Sequence, residues 1–539
     1  MNTAEKETRT EQHPVKQTKS MVGGMTVLGI TGIVCKLIGV LFSIPLTWLI
    51  GTGGQGLFQS VYPTYSLLLT VSSAGLPVAV SRMVSHALTK DDPRSAKLVF
   101  RTALIMLTVI GVLLSLTMLT GSGFLARRVD QPESRIGFIV IAPCVAVVCM
   151  LSAFRGFMQG QQNMVPTAIS QLIEQVGKVC ISLPLAWLGM QKGGIAYGAA
   201  GALLGITCVE AIALLYMVLC YVRKKKAFCS LPQLETGRSI NRKEAMTQLI
   251  RISVPITISA CIVPLANFID SAMLVKRMMV AGLDMDTARR YYGIFAGLVI
   301  RLINIPTALA LSISMSLVPA VAAAVAAGSM ENVRRQSNLG LRFAFLIGFP
   351  CSVGMSLLSK HILAFFYART LTATELQVGS EVLAISSLTV LLFTVVQATS
   401  AILQGVHKQR LPMYTLVAGV ACKITLNYIL VGTPGIHVHG GPFASLACYT
   451  VSMIPNLYFV TKYTGLRFQW NEWVVKPGMA AALMGAAVLG LRAVLPMNHF
   501  TTLLMIAIGS VVYLAAALLL KAIRREDFAS LRRGKKGKA

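Results

Sequence analysis

The stretch GIVCKLIGVLFSIPL, residues 32–46, is apolar or small at almost every position and carries one charge, Lys36. A run of about 20 apolar residues crosses a bilayer as a helix, and the run holding this stretch extends from near Met21 to near Gly51. Lys36 stands about fifteen residues from either end of it. An ammonium group at a helix centre costs about 2.5–3.5 kcal/mol on insertion scales. A lysine near a helix end escapes this by snorkelling, but Lys36 is badly placed to do so. A cation this deep is expected to face a water-filled cavity.

The rest of the chain repeats that pattern. Of 539 residues, 55% are hydrophobic and 13% charged, where soluble domains carry about 25% charged residues. Hydropathy gives fourteen runs of span length, and the first is too long for a signal-peptide core. The reading is an all-α integral membrane protein: a cytoplasmic tail at 1–21, an N-lobe of six spans at 22–222, a basic linker at 223–247, a C-lobe of six spans at 248–463, two further spans within 464–522, and a basic tail at 523–539.

A net charge of +29 first raises nucleic acid. With the N-terminus inside, however, most Lys and Arg fall in cytoplasmic segments, including RKKK at 223–226 and LRRGKKGKA at 531–539. That is the positive-inside bias, helped by anionic lipid headgroups. No aromatic-interleaved basic module accompanies it, so nucleic acid is set aside. The eleven cysteines form no CxxC pair and read as small buried hydrophobes.

Nine bases fall within spans: Lys36, Arg82, Arg101, Arg155, Lys178, Arg251, Arg301, Arg342 and Lys423. The acids there are Glu174, Glu210 and Asp270. Arg82, Arg101, Arg155, Arg251 and Arg342 lie near cytoplasmic ends, where snorkelling competes with function. Lys36, Lys178, Arg301 and Lys423 are deeper. Glu174 and Lys178 are spaced to pair on one helix face, which leaves a surplus of cations. Intramembrane charges usually line pathways, so Lys36, Lys178, Arg301 and Lys423, with Arg82 and Arg155, are the candidate cationic cavity for an anionic substrate.

The chain also duplicates itself. SSAGLPVAVSRMV (72–84) resembles SMSLVPAVAAAV (314–325), and FMQGQQNMVPTAISQLIEQVGKV (157–179) resembles ILQGVHKQRLPMYTLVAGVACKI (402–424). Lys178 and Lys423 correspond, as do Gly160 and Gly405. Six spans per copy give both copies the same orientation and place the substrate path between two lobes. Prolines 45, 63, 77, 255, 264, 306 and 319 crowd the first two spans of each copy, where kinks are tolerated beside a cavity.

Other motifs mislead. GTGGQG (51–56) matches G-x-G-x-x-G but lacks the strand and βαβ context of a dinucleotide site. No Walker A sequence and no catalytic triad or carboxylate pair stands out, and HVHGG (437–441) has no companion metal ligand. A transporter is expected, not an enzyme, with no cofactor.

KLIGVLFSIPLTWLIGTGGQGLFQSVYPTYSLLLTVSSAGLPVAVSRMV (36–84) resembles the polysaccharide-export branch of the MOP (multidrug/oligosaccharidyl-lipid/polysaccharide) exporters, nearest the stage V sporulation protein B-like group and bacterial lipid II flippases. RLINIPTALALSISMSLVP (301–319) is similar to the span-eight stretch of those flippases. The resemblance implies alternating access and a cargo of undecaprenyl-pyrophosphate-linked saccharide, moved across the cell membrane in wall, spore-cortex or polysaccharide synthesis by a monomer with cytoplasmic termini. It also implies a cavity role for Lys36 and Arg301 and a sodium or proton as coupling ion, with Asp270, Asn427 and Glu174 as candidates. The resemblance also implies an arginine, usual in that family, in the first-span stretch where this chain has Ser43. The alternatives are a cation-coupled multidrug exporter, against which the excess of buried bases argues, and a membrane protein that regulates without transporting.

Overall fold

A computed structural model describes residues 14–90, 92–229, 241–496 and 498–522. Residues 1–13 of the expected N-terminal tail, 230–240 of the linker and the C-terminal tail 523–539 lie outside the described residues. Every regular element among the described residues is helical. Twelve stretches are long and apolar enough to cross a membrane, against the fourteen expected.

Two of the twelve are longer than one crossing needs. Leu41–Thr89 has 49 residues; as a straight helix it would extend about 74 Å, more than twice the hydrocarbon core. It leaves helical geometry at Gly51, with φ 66° and ψ −175°. Val165–Arg223 leaves it at Gly193 and Gly194, and there the chain reverses. A Cβ on Gly189 would lie 2.2 Å from the Tyr197 carbonyl, one on Gly201 2.2 Å from that of Leu185, and one on Gly205 2.3 Å from Ser182 Cα. Pairing 189 with 197, 185 with 201 and 182 with 205 is the register of an antiparallel hairpin. Small residues let the two backbones meet, which is how helices associate in lipid, where apolar burial gives no preference.

The chain forms two compact units, one of residues 1–50 and 57–271 and one of residues 51–56 and 272–539. Their boundary cuts the helix Arg242–Val280, not the linker 223–247. A close approach explains it: a Cβ on Gly75 would sit 2.2 Å from the Ser253 carbonyl, which holds the first half of that helix to the first unit.

Each unit is organised around one buried helix. In the first, Arg135–Gly160 packs against Leu76–Thr89, Pro93–Thr120 and the return arm of the hairpin. In the second, Ala373–Gly405 packs against Ile300–Ala326, Met330–Leu357 and Gly440–Thr464. The duplicated glycines mark equivalent crossings. A Cβ on Gly160 would lie 2.7 Å from Val84 Cβ, and one on Gly405 2.7 Å from Val321 Cβ.

The last two spans, Lys476–Val494 and His499–Leu519, belong to the second unit. Three side chains tie them to the 330–357 helix. Tyr513 donates its hydroxyl to the Leu346 carbonyl at 2.7 Å, Arg492 Nη1 donates to that of Leu357 at 3.2 Å, and Arg342 Nε donates to that of Ala522 at 3.0 Å.

The hairpin yields a prediction. Gly201→Leu cannot be accommodated without parting two backbones and is expected to exceed the usual overpacking cost of about 1–3 kcal/mol. Gly194→Ala, with φ +69°, ψ −155° and open space around it, should cost only the backbone strain of a glycine-only conformation, roughly 1–3 kcal/mol. Thermal unfolding in detergent checks the order; equal losses would contradict the packing described.

Candidate functional site

Charge inside the first unit converges on the hairpin. Arg155 comes from the buried 135–160 helix, while Ser170 and Glu174 come from the helix Val165–Gly177. Arg155 Nε donates to Ser170 Oγ at 3.0 Å, and its Nη2 forms an ion pair with Glu174 Oε1. Both partners are largely buried, with 15% and 12% of their side chains exposed. Ser170 passes its own proton to the Thr167 carbonyl at 2.8 Å, which leaves its lone pairs toward Arg155.

Lys178 opens a π-helical turn, Lys178–Ser182, a widened geometry often found at functional positions. It is half-buried, and its ammonium is in electrostatic reach of Glu174, Glu210 and the Tyr62 hydroxyl. Glu210 reaches the cluster from the return arm of the hairpin; it is buried, and its carboxyl meets that of Glu174. Tyr65 and Cys144 close the wall, the Cys144 thiol donating to the Tyr65 hydroxyl at 3.3 Å. The sequence spacing pairs Glu174 with Lys178. The structure sends Glu174 across to Arg155 and adds Glu210, so Arg155 and Lys178 both have acids beside them.

The remaining candidates are dispersed. The Lys36 side chain lies outside the described residues. Arg82, Arg101 and Arg251 are exposed, and Arg342 is buried on the Ala522 carbonyl. Ser43 is buried, with Thr47 donating to its carbonyl at 2.9 Å. Lys423 is half-buried on Arg410–Val431, and Asn427 on the same helix is fully buried. Asp270 is 7% exposed and falls in the first unit, whereas Asn427 falls in the second; the sequence reading puts both in one lobe. Among the described residues no group of three or more His, Cys, Asp or Glu could hold a metal. GTGGQG is helical beyond Gly51. Its last glycine serves packing: a Cβ on Gly56 would meet the Arg289 carbonyl at 2.4 Å, and Thr52 donates to Glu375 at 2.7 Å.

Arg301 differs from the other bases. It is half-buried, two residues beyond the π-helical turn Gly293–Val299, and has no hydrogen-bond or ion-pair partner among the described residues. Beside it on the same helix, Leu302, Ile305 and Leu309 line an apolar groove of about 610 Å³, completed by Leu346, Phe365 and Leu503. Arg301 and Ile305 are four residues apart and share a helix face. Sequence reasoning missed the groove because its residues look like those of any span.

The chain matches the polysaccharide biosynthesis protein family over residues 21–325 and the MatE family over 295–429. It is similar to the lipid II flippase MurJ of Bacillus subtilis (strain 168), 26% identical over 87% of this chain and 88% of that protein. It is similar also to stage V sporulation protein B of the same organism, 25% identical over 85% of this chain and 87% of that protein. Among solved structures, a lipid II flippase MurJ in an inward closed conformation aligns with a TM-score of 0.71 at 13% identity, covering 92% of this chain and 99% of that one.

Removing one partner of a buried ion pair typically costs about 3–5 kcal/mol, while replacing both with apolar residues is near neutral or better. Glu174→Ala is therefore expected to lower the unfolding temperature sharply, and Arg155→Leu with Glu174→Leu to recover most of the loss. A double variant no more stable than Glu174→Ala would contradict the pairing.

Proposed function

Because the chain belongs to the polysaccharide biosynthesis protein family, we propose that it is a flippase for an undecaprenyl-pyrophosphate-linked saccharide, moved across the cytoplasmic membrane by alternating access. The chain is a multi-pass membrane protein, and its relatives include a lipid II flippase.

The observation that carries the reading is the juxtaposition of Arg301 with the apolar groove. A lipid-linked precursor has a pyrophosphate head and a long polyisoprenoid tail. The groove is lined almost wholly by apolar side chains, with Thr502, Ser510 and Tyr513 among them, and its volume of about 610 Å³ lies within the range of about 300–1,000 Å³ usual for ligand sites. Arg301 offers a planar fork of donors that grips phosphate oxygens bidentately. Charge pairing strengthens as the local dielectric falls, so a cation not spent on a protein carboxylate gives the anionic head a fixed place. Lys423, half-buried on Arg410–Val431 of the same unit, would add a point charge. Relatives named as a lipid II flippase and a sporulation protein support a cargo of this chemistry.

Reconstitution in vesicles with labelled lipid II, scoring its appearance in the opposite leaflet, tests the function. Arg301→Ala removes charge-assisted hydrogen bonds worth about 1.5–3 kcal/mol and should weaken binding of a labelled lipid pyrophosphate by roughly ten- to a hundredfold. Arg301→Lys should fall between it and the native protein, with a neutral lipid unaffected throughout. Equal affinity in all three proteins would remove Arg301 as the head-group ligand.

A further inference from the structure

We propose that Lys360, His361 and Arg492 form an anion site at one end of the apolar groove. Its occupant is the pyrophosphate of the lipid-linked saccharide, held on the outer side of the membrane while the polyprenyl chain lies in the groove. The anion site stands on the geometry of the second unit; its occupant rests on the reading of the cargo given above.

Three elements of that unit meet at this end. Leu358, Ile362, Phe365, Val488 and Leu503 line the groove. Arg492 lies one turn beyond Val488 on the helix Lys476–Val494 and continues the same face. Its Nη1 donates to the Leu357 carbonyl at 3.2 Å, which brings the guanidinium to the start of the helix Ser359–Tyr367. Lys360 and His361 stand in the first turn of that helix, which has no side-chain cap. Such a turn favours an anion through its N–H groups and the helix dipole. Phe365, one turn further on, meets the ring of His499 from the start of the last span at 5.2 Å. Arg301 belongs to the same end: a Cβ on Gly340 would lie 2.4 Å from Leu317 Cδ2, and that antiparallel register, continued along both helices, brings Arg301 level with the end of the 330–357 helix.

No acid answers these cations. Lys360 is half-buried, and neither it nor Arg492 has an ion-pair partner among the described residues. His361 is 5% exposed, and its Nδ1 has no hydrogen-bond partner among the described residues. A buried polar atom left unpartnered is costly, and a phosphate oxygen bonded to the ring removes that cost. Burial, and then the charges of Arg492 and Lys360, hold the His361 pKa below the ordinary histidine value, so the ring shares the field of both cations. Charge selects the occupant. A pyrophosphate diester carries two negative charges, which Lys360 and Arg492 match; a phospholipid phosphate carries one and leaves a cation unanswered. The planar guanidinium and the mobile ammonium both suit phosphate oxygens. With the N-terminus inside, as the positive-inside bias has it, the 330–357 helix ends and the 499–519 helix begins on the outer side, where the cargo is delivered.

The site is tested by binding of a labelled polyprenyl pyrophosphate diester to the purified full chain, with inorganic pyrophosphate, phosphatidylglycerol and polyprenol as competitors. Lys360→Ala and Arg492→Gln should each weaken binding roughly tenfold or more, and polyprenol should compete weakly. Arg492→Gln also loses a tie to the Leu357 carbonyl, whereas Lys360 has no such tie, so Lys360→Ala should unfold at the native temperature and carries the decision. Native affinity in Lys360→Ala, with Arg301→Ala impaired, overturns the anion site and leaves the cargo reading standing. If the native protein binds no polyprenyl pyrophosphate, the cargo reading falls and the occupant with it. Inorganic pyrophosphate bound by the native protein and lost in Lys360→Ala then still supports the anion site, and its absence overturns that too. Phosphatidylglycerol displacing the probe as well as unlabelled polyprenyl pyrophosphate overturns the choice of occupant. Val494, two residues past Arg492, is 82% exposed. Val494→Cys should react with a membrane-impermeant maleimide added outside intact cells, above the background of the native chain, and reaction from the inside alone overturns the outer placement.

Discussion

A guanidinium in hydrocarbon must be met by groups from its own protein, since no water is there to solvate it. The Arg155–Glu174 ion pair meets that demand in the first unit, and much else follows from it. It joins the unit's central helix to the hairpin, fixes which face of the 165–177 helix turns inward, and brings Lys178 and Glu210 to the same place. The second unit meets the demand with backbone carbonyls. Arg342 takes that of Ala522 at the end of the last span. Arg277 donates to the Tyr428 carbonyl at 2.8 Å and lies 4.0 Å from the centre of its ring.

Arg155, Arg342 and Arg277 each fasten one helix to another element, held by Glu174 and by the Ala522 and Tyr428 carbonyls. Arg301 is the contrast: a half-buried base on a spanning helix with no protein partner among the described residues. A cation that takes no part in fastening is free to serve a ligand, and the apolar groove one helical turn away gives that ligand a second, chemically opposite requirement. An amphiphile with an anionic head satisfies both.

Glycine does in this protein what apolar burial does in soluble ones. Lipid tails are as apolar as the side chains, so helices gain little by hiding leucine from them. They gain by coming close, and Gly160, Gly189, Gly201, Gly205 and Gly405 each bring a neighbour to a distance that any Cβ would forbid. Gly56 of the GTGGQG stretch belongs to the same set. Its resemblance to a phosphate loop arises because close helix crossings and anion-binding turns both require residues without side chains.

The sequence by itself determined that the chain is helical and crosses a membrane many times. Length and polarity of each run are local properties, and the bilayer permits few backbone solutions. It determined the duplication too, since Gly160 and Gly405 mark equivalent crossings whose spacing survives in the residues. Spacing along one helix, however, could pair Glu174 only with Lys178, because a one-dimensional reading finds neighbours three or four residues apart. Arg155 and Glu210 lie 19 and 36 residues away from Glu174, and only the fold of the hairpin onto the central helix brings them to it. The tertiary structure likewise decided that Arg342 is held and Arg301 is not, and that ordinary span residues enclose a groove. Those outcomes depend on which faces of separate helices meet, and no local pattern of residues records that.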